Sequence, residues 1–174
     1  MSQPLEKPAP SRRLNIKVLG LLMVCGLLST ALLHRYVFAV YIIEGSSMSP
    51  TLNDGDMALV NMWAARVGWI ERGEIVLVRD GHFHEYATKR VIGLPGERVE
   101  IKDDHVFING RLLLEPYLPK NVVTQSNRAP CVLEPDQYFV LGDNRPVSYD
   151  SRSYGPVRRS ALMGSYTRGF WACR

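Results

Sequence analysis

Cysteine is scarce in this chain of 174 residues, which holds three: Cys25, Cys131 and Cys173. None stands in a CxxC pair or at zinc-ligand spacing from another, which excludes a structural metal site, and no cofactor is expected. Cys25 lies in an apolar run and reads as a small hydrophobe. Cys131 and Cys173 could pair in an exported domain, but spacing alone does not bring them together. A clustered basic face is also missing. The 21 Lys and Arg against 17 Asp and Glu give a net charge of +4, yet they are scattered and not interleaved with stacking aromatics, which excludes a nucleic-acid partner. Long helical periodicity is absent outside one N-terminal run, so the body is neither all-α nor α/β. Four hydroxyl residues crowd into "GSSMSPTL", Gly45 to Leu52, but the second glycine of a G-x-S-x-G elbow is lacking.

What is present begins with sixteen residues free of charge, Val18 to Leu33, or about 24 Å of helix against a hydrocarbon core of about 30 Å. Leu14 and Ile16 lengthen it, and the Lys17 stem can snorkel. Lys7, Arg12, Arg13 and Lys17 precede it against Glu6 alone, which orients the N-terminus to the cytoplasm and exports the rest. A cleavable leader would also show a charged start and small residues such as Ser29 to Ala31. The apolar character runs past those residues to His34-Arg35, which favours an uncleaved anchor. The expected organisation is a cytoplasmic tail over 1–13, a transmembrane signal-anchor helix over 14–34, and an exported domain over 35–174.

That domain reads as strands. Short β-branched and aromatic runs are expected at Tyr36–Ile43, Met57–Trp63, Glu74–Arg79, Glu85–Ile92, Glu97–Ile101, His105–Ile108, Tyr138–Leu141 and Ser165–Trp171, with Asn109-Gly110 as a hairpin turn. The fold class is therefore all-β, rich in hairpins and closed or half-closed like a barrel, behind one transmembrane helix. The proline-bearing segment around 114–135 reads as a short irregular insert.

A serine needs a base to become a nucleophile. His34 belongs to the membrane edge. His82 and His84 alternate along "DGHFHEY", a pattern better suited to a solvated hairpin edge than to ligands or a triad member. Lys102 and Lys120 sit in polar, turn-like surroundings. Lys89 is flanked by apolar strand residues in "YATKRVIGLPGE", where burial would disfavour its charged form and free its lone pair for Ser47. The plainer alternative is a strand lysine that snorkels to solvent.

Three segments decide between these. "GSSMSPTL" (45–52), "KRVIGLPGE" (89–97) and "GDNRPVSYDSR" (142–152) occur in that order. Together they resemble the type I signal peptidases, membrane-bound Ser-Lys proteases that remove leader peptides, and the resemblance runs from the anchor to about Val157. It implies Ser47 as nucleophile, Lys89 as general base and Ser148 as the hydroxyl that orients the lysine. Arg90, Asp143, Asp150 and Arg152 would brace the site through ion pairs. Asn144 and Arg145 read as ordinary turn residues, as do Ser46, Ser49 and Thr51, with Pro50 fixing the backbone. Two departures stand out. Gly45 occupies a position where some members carry a serine hydroxyl that helps hold the oxyanion, so the oxyanion region reduces to the backbone of Gly45 and Ser47 plus a neighbouring donor. The insert is also short, which points to a compact enzyme.

The resemblance further implies cleavage of signal-peptide-bearing preproteins after small residues, in an Ala-x-Ala pattern, at the outer face of the inner (plasma) membrane. Ile43, Met48, Leu52, Tyr86, Ala87 and Thr88 would line the pocket, or else simply pack the core. Substrate would pair with the edges at Tyr41–Glu44 and Glu85–Thr88. The aromatic tail from Tyr166 would rest on the lipid bilayer, or Trp171 would pack inward. A dedicated relative that processes few substrates, such as a pilin-maturation or organelle protease, would carry the same dyad. An SOS-repressor-like autoprotease would have a DNA-binding head in place of the anchor. An inactive tethered binding module would be unaffected by loss of Ser47.

Overall fold

A computed structural model describes residues 15–67, 70–79, 86–120, 122, 124 and 127–167. His82, His84, Glu85, Trp171 and Cys173 lie outside the described residues. In chain order the elements are α1 (Ile16–Val37), β1 (Phe38–Ile42), β2 (Met57–Asn61), α2 (Met62–Val67), β3 (Ile75–Arg79), β4 (Tyr86–Gly93), β5 (Arg98–Lys102), β6 (His105–Ile108), β7 (Arg111–Leu112), β8 (Arg128–Val132), β9 (Gln137–Leu141), α3 (Ser151–Tyr154), β10 (Val157–Arg158) and β11 (Leu162–Tyr166). The chain divides into two units, Met1–Arg35 and Tyr36–Arg174.

In the first unit, leucine, alanine and methionine without proline sustain the helix. Its apolar side chains are exposed on every side, among them Leu19, Leu22, Val24 and Leu28. Among the described residues no helix is long and apolar enough to cross a membrane.

The second unit is an all-β domain of two antiparallel sheets. Seven strands run in the order β1-β2-β11-β3-β4-β9-β10, and four in the order β7-β6-β5-β8. The larger sheet is strongly curled. Tyr41 on β1 and Tyr86 on β4 meet edge to face with ring centroids 6.1 Å apart, although β2, β11 and β3 separate those strands. Four strand spacings in a flat sheet would hold them about 19 Å apart. The curl makes the half-closed barrel and turns the edge of β1 toward β4.

Local chemistry accounts for most of the elements. Asn109 and Gly110 both take positive φ, 51° and 78°, as a two-residue primed turn requires, and they join β6 to β7. Asp103 and Asp104, also at positive φ, turn β5 back into β6. Several expectations differ from the structure, among them the last strand, expected from Ser165, which runs from Leu162 to Tyr166. Met62 and Trp63, read as strand, open α2, because the Asn61 side chain accepts the N–H groups of Trp63 and Ala64 at 3.0 and 3.2 Å and so caps a helix. Tyr36 and Val37 end α1 instead of starting β1. Within the insert, Arg128–Val132 forms β8 along β5, although it contains Pro130. An edge strand tolerates proline because one side of its backbone donates to nothing.

Three apolar clusters hold these layers together. Val76, Val78, Val91, Val140 and Leu162 pack on one side of the large sheet. Ile92, Val99, Ile101, Val106, Leu133, Phe139 and Leu141 fill the space between the two sheets. Ile43, Met48, Leu52 and Ala58 form the third, against Ile75 and Tyr166. The β4–β9 register shifts between Val91 and Gly93, and Gly93 lies so close to Val99, Leu133 and Phe139 that an added Cβ would collide with all three. Phe139 is fully buried at this junction. Phe139→Ala is expected to destabilise the domain by about 3–5 kcal/mol, read as a lowered urea midpoint at unchanged slope.

Candidate active site

The connection from β1 to β2 presents Ser47. Its ends are closed by Ile43 N–H to Asp56 O and Gly55 N–H to Ile43 O, both 2.8 Å, and Leu52 N–H reaches Met48 O at 3.0 Å. Buried Ile43, Met48 and Leu52 pin the turn inward and leave Ser47 half-buried between them. Gly45 adopts φ +82 and donates its N–H to Asp54 Oδ1 at 2.7 Å. Its amide is therefore already committed, whereas the Ser47 N–H has no hydrogen-bond partner among the described residues. Ser49 joins Pro50 through a cis bond, and its hydroxyl donates to Asn53 Oδ1 at 2.9 Å.

Lys89 extends from β4 with 4% of its surface exposed, and its Nζ donates to Ser47 Oγ at 3.0 Å. The two residues are 42 positions apart in the chain. Lys89 pairs with Val76 of β3, and at the next residue, Arg90, β4 is paired to β3 and β9 at once, so the lysine projects from a fixed strand.

The loop after β9 clamps the serine from its other side. Asn144 donates its N–H to Ser47 O and its Nδ2 to Ser46 O, both at 3.0 Å. Buried Asp143 receives Arg90 Nε at 2.8 Å, Arg90 Nη2 at 2.5 Å and the Thr51 hydroxyl at 2.5 Å. Buried Asp150 accepts the Gly142 N–H at 3.0 Å and pairs with Arg152 Nε and Nη2, each at 2.8 Å. Arg152 also reaches the carbonyls of Thr124, Arg145 and Ser148. Ser148 Oγ is buried and has no hydrogen-bond partner among the described residues. It lies against Gly142, where an added Cβ would overlap both Ser148 and the Ser47 carbonyl oxygen. The three segments 45–52, 89–97 and 142–152 thus converge on one place.

Two residues read as ordinary turn polars belong to this architecture. Asn144 is the clamp just described. Arg145 is 1% exposed and bonds Gly142 O at 3.1 Å, Thr124 Oγ1 at 3.1 Å and Glu115 Oε1 at 2.5 Å. An arginine can be buried at this depth only where its fork is filled by acceptors. Thr51, also read as a turn residue, holds Asp143. Glu115, Tyr117 and Thr124 carried no signal, because the arginines they meet lie 21 to 30 positions away in the chain. The Tyr117 ring lies under the Arg90 guanidinium at 3.9 Å, and its hydroxyl donates to Glu115 Oε1 at 2.5 Å.

Among the residues expected to line a pocket, Ile43, Met48 and Leu52 share one cluster. Thr88 joins it through Tyr166, whose hydroxyl lies 2.7 Å from Thr88 Oγ1, and burial pushes the Tyr166 phenol pKa above its ordinary value. Tyr86 is half exposed beside Tyr41, and Ala87 is partly buried between Tyr86 and Thr88. Among the described residues no group of His, Cys, Asp or Glu could hold a metal ion.

A serine hydroxyl against a buried amine, with a free N–H beside it, is the constellation of a serine hydrolase. Residues 16–171 match the family described as signal peptidase, peptidase S26. Signal peptidase I T of Bacillus subtilis is 36% identical over 92% of this chain and 88% of its own length. Signal peptidase IB of Staphylococcus aureus is 35% identical over 79% of this chain and 80% of its own. A crystal structure of a signal peptidase I from Enterococcus faecalis superposes with a TM-score of 0.51 at 34% identity, covering 56% of this chain and 97% of that one. The chain belongs to the signal peptidase I family and is a serine endopeptidase.

Gly142→Ala is expected to lower kcat by about a hundredfold, because a methyl group there displaces the Ser47 backbone. Its melting temperature should fall by only a few degrees, consistent with an overpacking cost of about 1–3 kcal/mol.

Proposed function

We propose that the protein is a membrane-anchored leader peptidase in which Ser47 is the nucleophile and Lys89 the general base. The observation that carries the reading is the 3.0 Å contact between Lys89 Nζ and Ser47 Oγ, with the lysine 4% exposed. An amine this enclosed, 3.0 Å from the Ser47 hydroxyl, is placed to take its proton when in the neutral form. Neutral Lys89 takes the Ser47 proton as Oγ attacks the scissile carbonyl. The resulting ammonium then protonates the departing amine, and water repeats the sequence to release the acyl group.

The oxyanion forms beside the Ser47 N–H. Gly45 adds no amide as it stands, since its N–H is given to Asp54. One such donor is worth about 3 kcal/mol of transition-state stabilisation. The Ser148 hydroxyl makes no hydrogen bond to Lys89 in this structure, so its role as the lysine-orienting group rests on the family motif alone. Arg90 with Asp143, and Arg152 with Asp150, keep the two loops in register.

The preprotein lies extended between two strand edges. Tyr86, Ala87 and Thr88 pair only with β3, and β1 is the outer strand of its sheet. The curl that brings Tyr41 to Tyr86 sets these edges face to face for β-augmentation. Ile43, Met48 and Leu52 beneath these edges are 1–3% exposed and packed as a core cluster, so a preference for a small side chain such as alanine would come from a tightly filled floor rather than from a deep pocket. A larger one would clash rather than merely lose contact.

The N-terminal helix is the anchor. What supports the reading is the charge-free run Val18–Leu33 and the outward-facing apolar side chains of Leu19, Leu22, Val24 and Leu28; the described helix by itself is not long and apolar enough for a full span. The basic residues before it keep the N-terminus in the cytoplasm and place the catalytic domain on the outer face of the membrane.

The test is cleavage of a preprotein with an Ala-x-Ala site by the detergent-solubilised full chain. Ser47→Ala and Lys89→Ala should each reduce cleavage by at least about a thousandfold. Survival of cleavage in either variant contradicts the dyad. The wild-type kcat should rise with pH, because an ammonium group cannot accept a proton and an amine can. A kcat already flat from acidic pH would count against lysine as the base.

A further inference from the structure

We propose that Tyr117 is a positioning residue for the hydrolytic reaction, its ring holding Arg90 in the orientation that sets Lys89 against Ser47. The inference rests on the Ser47–Lys89 reading and assigns the insert a part in that site.

Arg90 follows Lys89 on β4 and is 7% exposed. Its guanidinium is held in plane by Asp143, through Nε and Nη2, and by Gly73 O, which accepts Nη1 at 2.7 Å. Those bonds fix the edges of the fork and leave its faces open. Tyr117 covers one face, with Arg90 Cζ 3.9 Å from the ring centroid, well within cation–π range and at a desolvated site where that attraction is strongest.

The ring is itself fixed. Its hydroxyl donates to Glu115 Oε1, and Glu115 receives both terminal nitrogens of Arg145, which in turn bonds Gly142 O. Arg90 and Arg145 are therefore tied to the same short segment of the insert, while their other ends reach Asp143 and Gly142, adjacent residues in the loop that clamps Ser47. Burial, then the Glu115 charge, push the Tyr117 phenol pKa well above the ordinary tyrosine range. The phenol thus stays a donor across the pH range of the cleavage assay. Tyr117, Arg90 and Thr51 also share the wall of a cavity of about 1100 Å³. Without the ring, water in that cavity gains access to the Arg90–Asp143 pair, and the pair no longer has one orientation.

The experiment is steady-state cleavage of the Ala-x-Ala preprotein by the full chain in detergent, with melting temperatures recorded alongside. Tyr117→Leu should lower kcat by about tenfold or more while KM stays within about twofold. Tyr117→Phe keeps the ring over Arg90 and should retain most of the wild-type kcat. Since Tyr117 acts through Arg90, adding Tyr117→Leu to Arg90→Lys should cost little beyond Arg90→Lys alone. Wild-type kcat in Tyr117→Leu, an equal loss in Tyr117→Phe, or additive losses in the double variant would each overturn the inference. If Tyr117→Leu does not fold, Tyr117→Met, which also removes the ring, replaces it alone and in combination with Arg90→Lys, and the same outcomes decide. Ser47→Ala runs in parallel: its inactivity beside a fully active Tyr117→Leu rejects the role of Tyr117 alone, whereas cleavage by Ser47→Ala rejects the dyad.

Discussion

The buried ion pair between Arg90 and Asp143 is the constraint on which the site depends. Charges removed from water are costly unless their remaining donors and acceptors are filled. Here Asp143 receives two guanidinium nitrogens and the Thr51 hydroxyl, while Arg90 gives its remaining reach to Gly73 O. One carboxylate therefore joins the strand that carries Lys89, the turn that carries Ser47 and the loop whose amide holds Ser47 O. None of these segments can drift without leaving a buried charge unpaired. A second pair, Asp150 with Arg152, does the same for the base of the loop, because Asp150 also takes the Gly142 N–H.

The curl of the large sheet sets what surrounds that centre. A flat antiparallel sheet would leave the edge of β1 and the free side of β4 far apart and facing away from each other. Curling brings Tyr41 to Tyr86 and gathers Ile43, Met48 and Leu52 beneath Thr88 and Tyr166. Close backbone approaches permit it. Gly93 lets β4 shift register against β9 beside Phe139, and Gly142 lets Ser148 and the Ser47 carbonyl lie against one Cα. A side chain at either place would prop apart the layers that the ion pairs draw together.

The insert shows how far the sequence could be read. Its prolines suggested an irregular excursion, and much of it is one. Yet it supplies β8 to the small sheet, and it supplies Glu115, Tyr117 and Thr124 to the polar network around Arg90, Arg145 and Arg152. Nothing in the local pattern of these residues announces a partner, because each meets a residue distant in the chain. Arg145 shows the converse. In "GDNRPVSYDSR" it looks like any polar turn residue, and only its 1% exposure reveals that it is enclosed.

The sequence by itself determined the elements with a short-range cause. Alternating β-branched runs gave the strands, Asn109-Gly110 gave a hairpin, and an apolar run without proline gave the N-terminal helix. It also supplied three ordered motifs that named the family and singled out Ser47 and Lys89. The tertiary structure decided what depends on long-range contact: that the lysine is buried and reaches the serine, that the Gly45 amide is already bonded to Asp54, and that Tyr117 lies under Arg90. The physical reason is the same in each case. Burial and hydrogen-bond partnership belong to pairs of distant residues, and the folded sheet, rather than the local sequence, chooses those pairs.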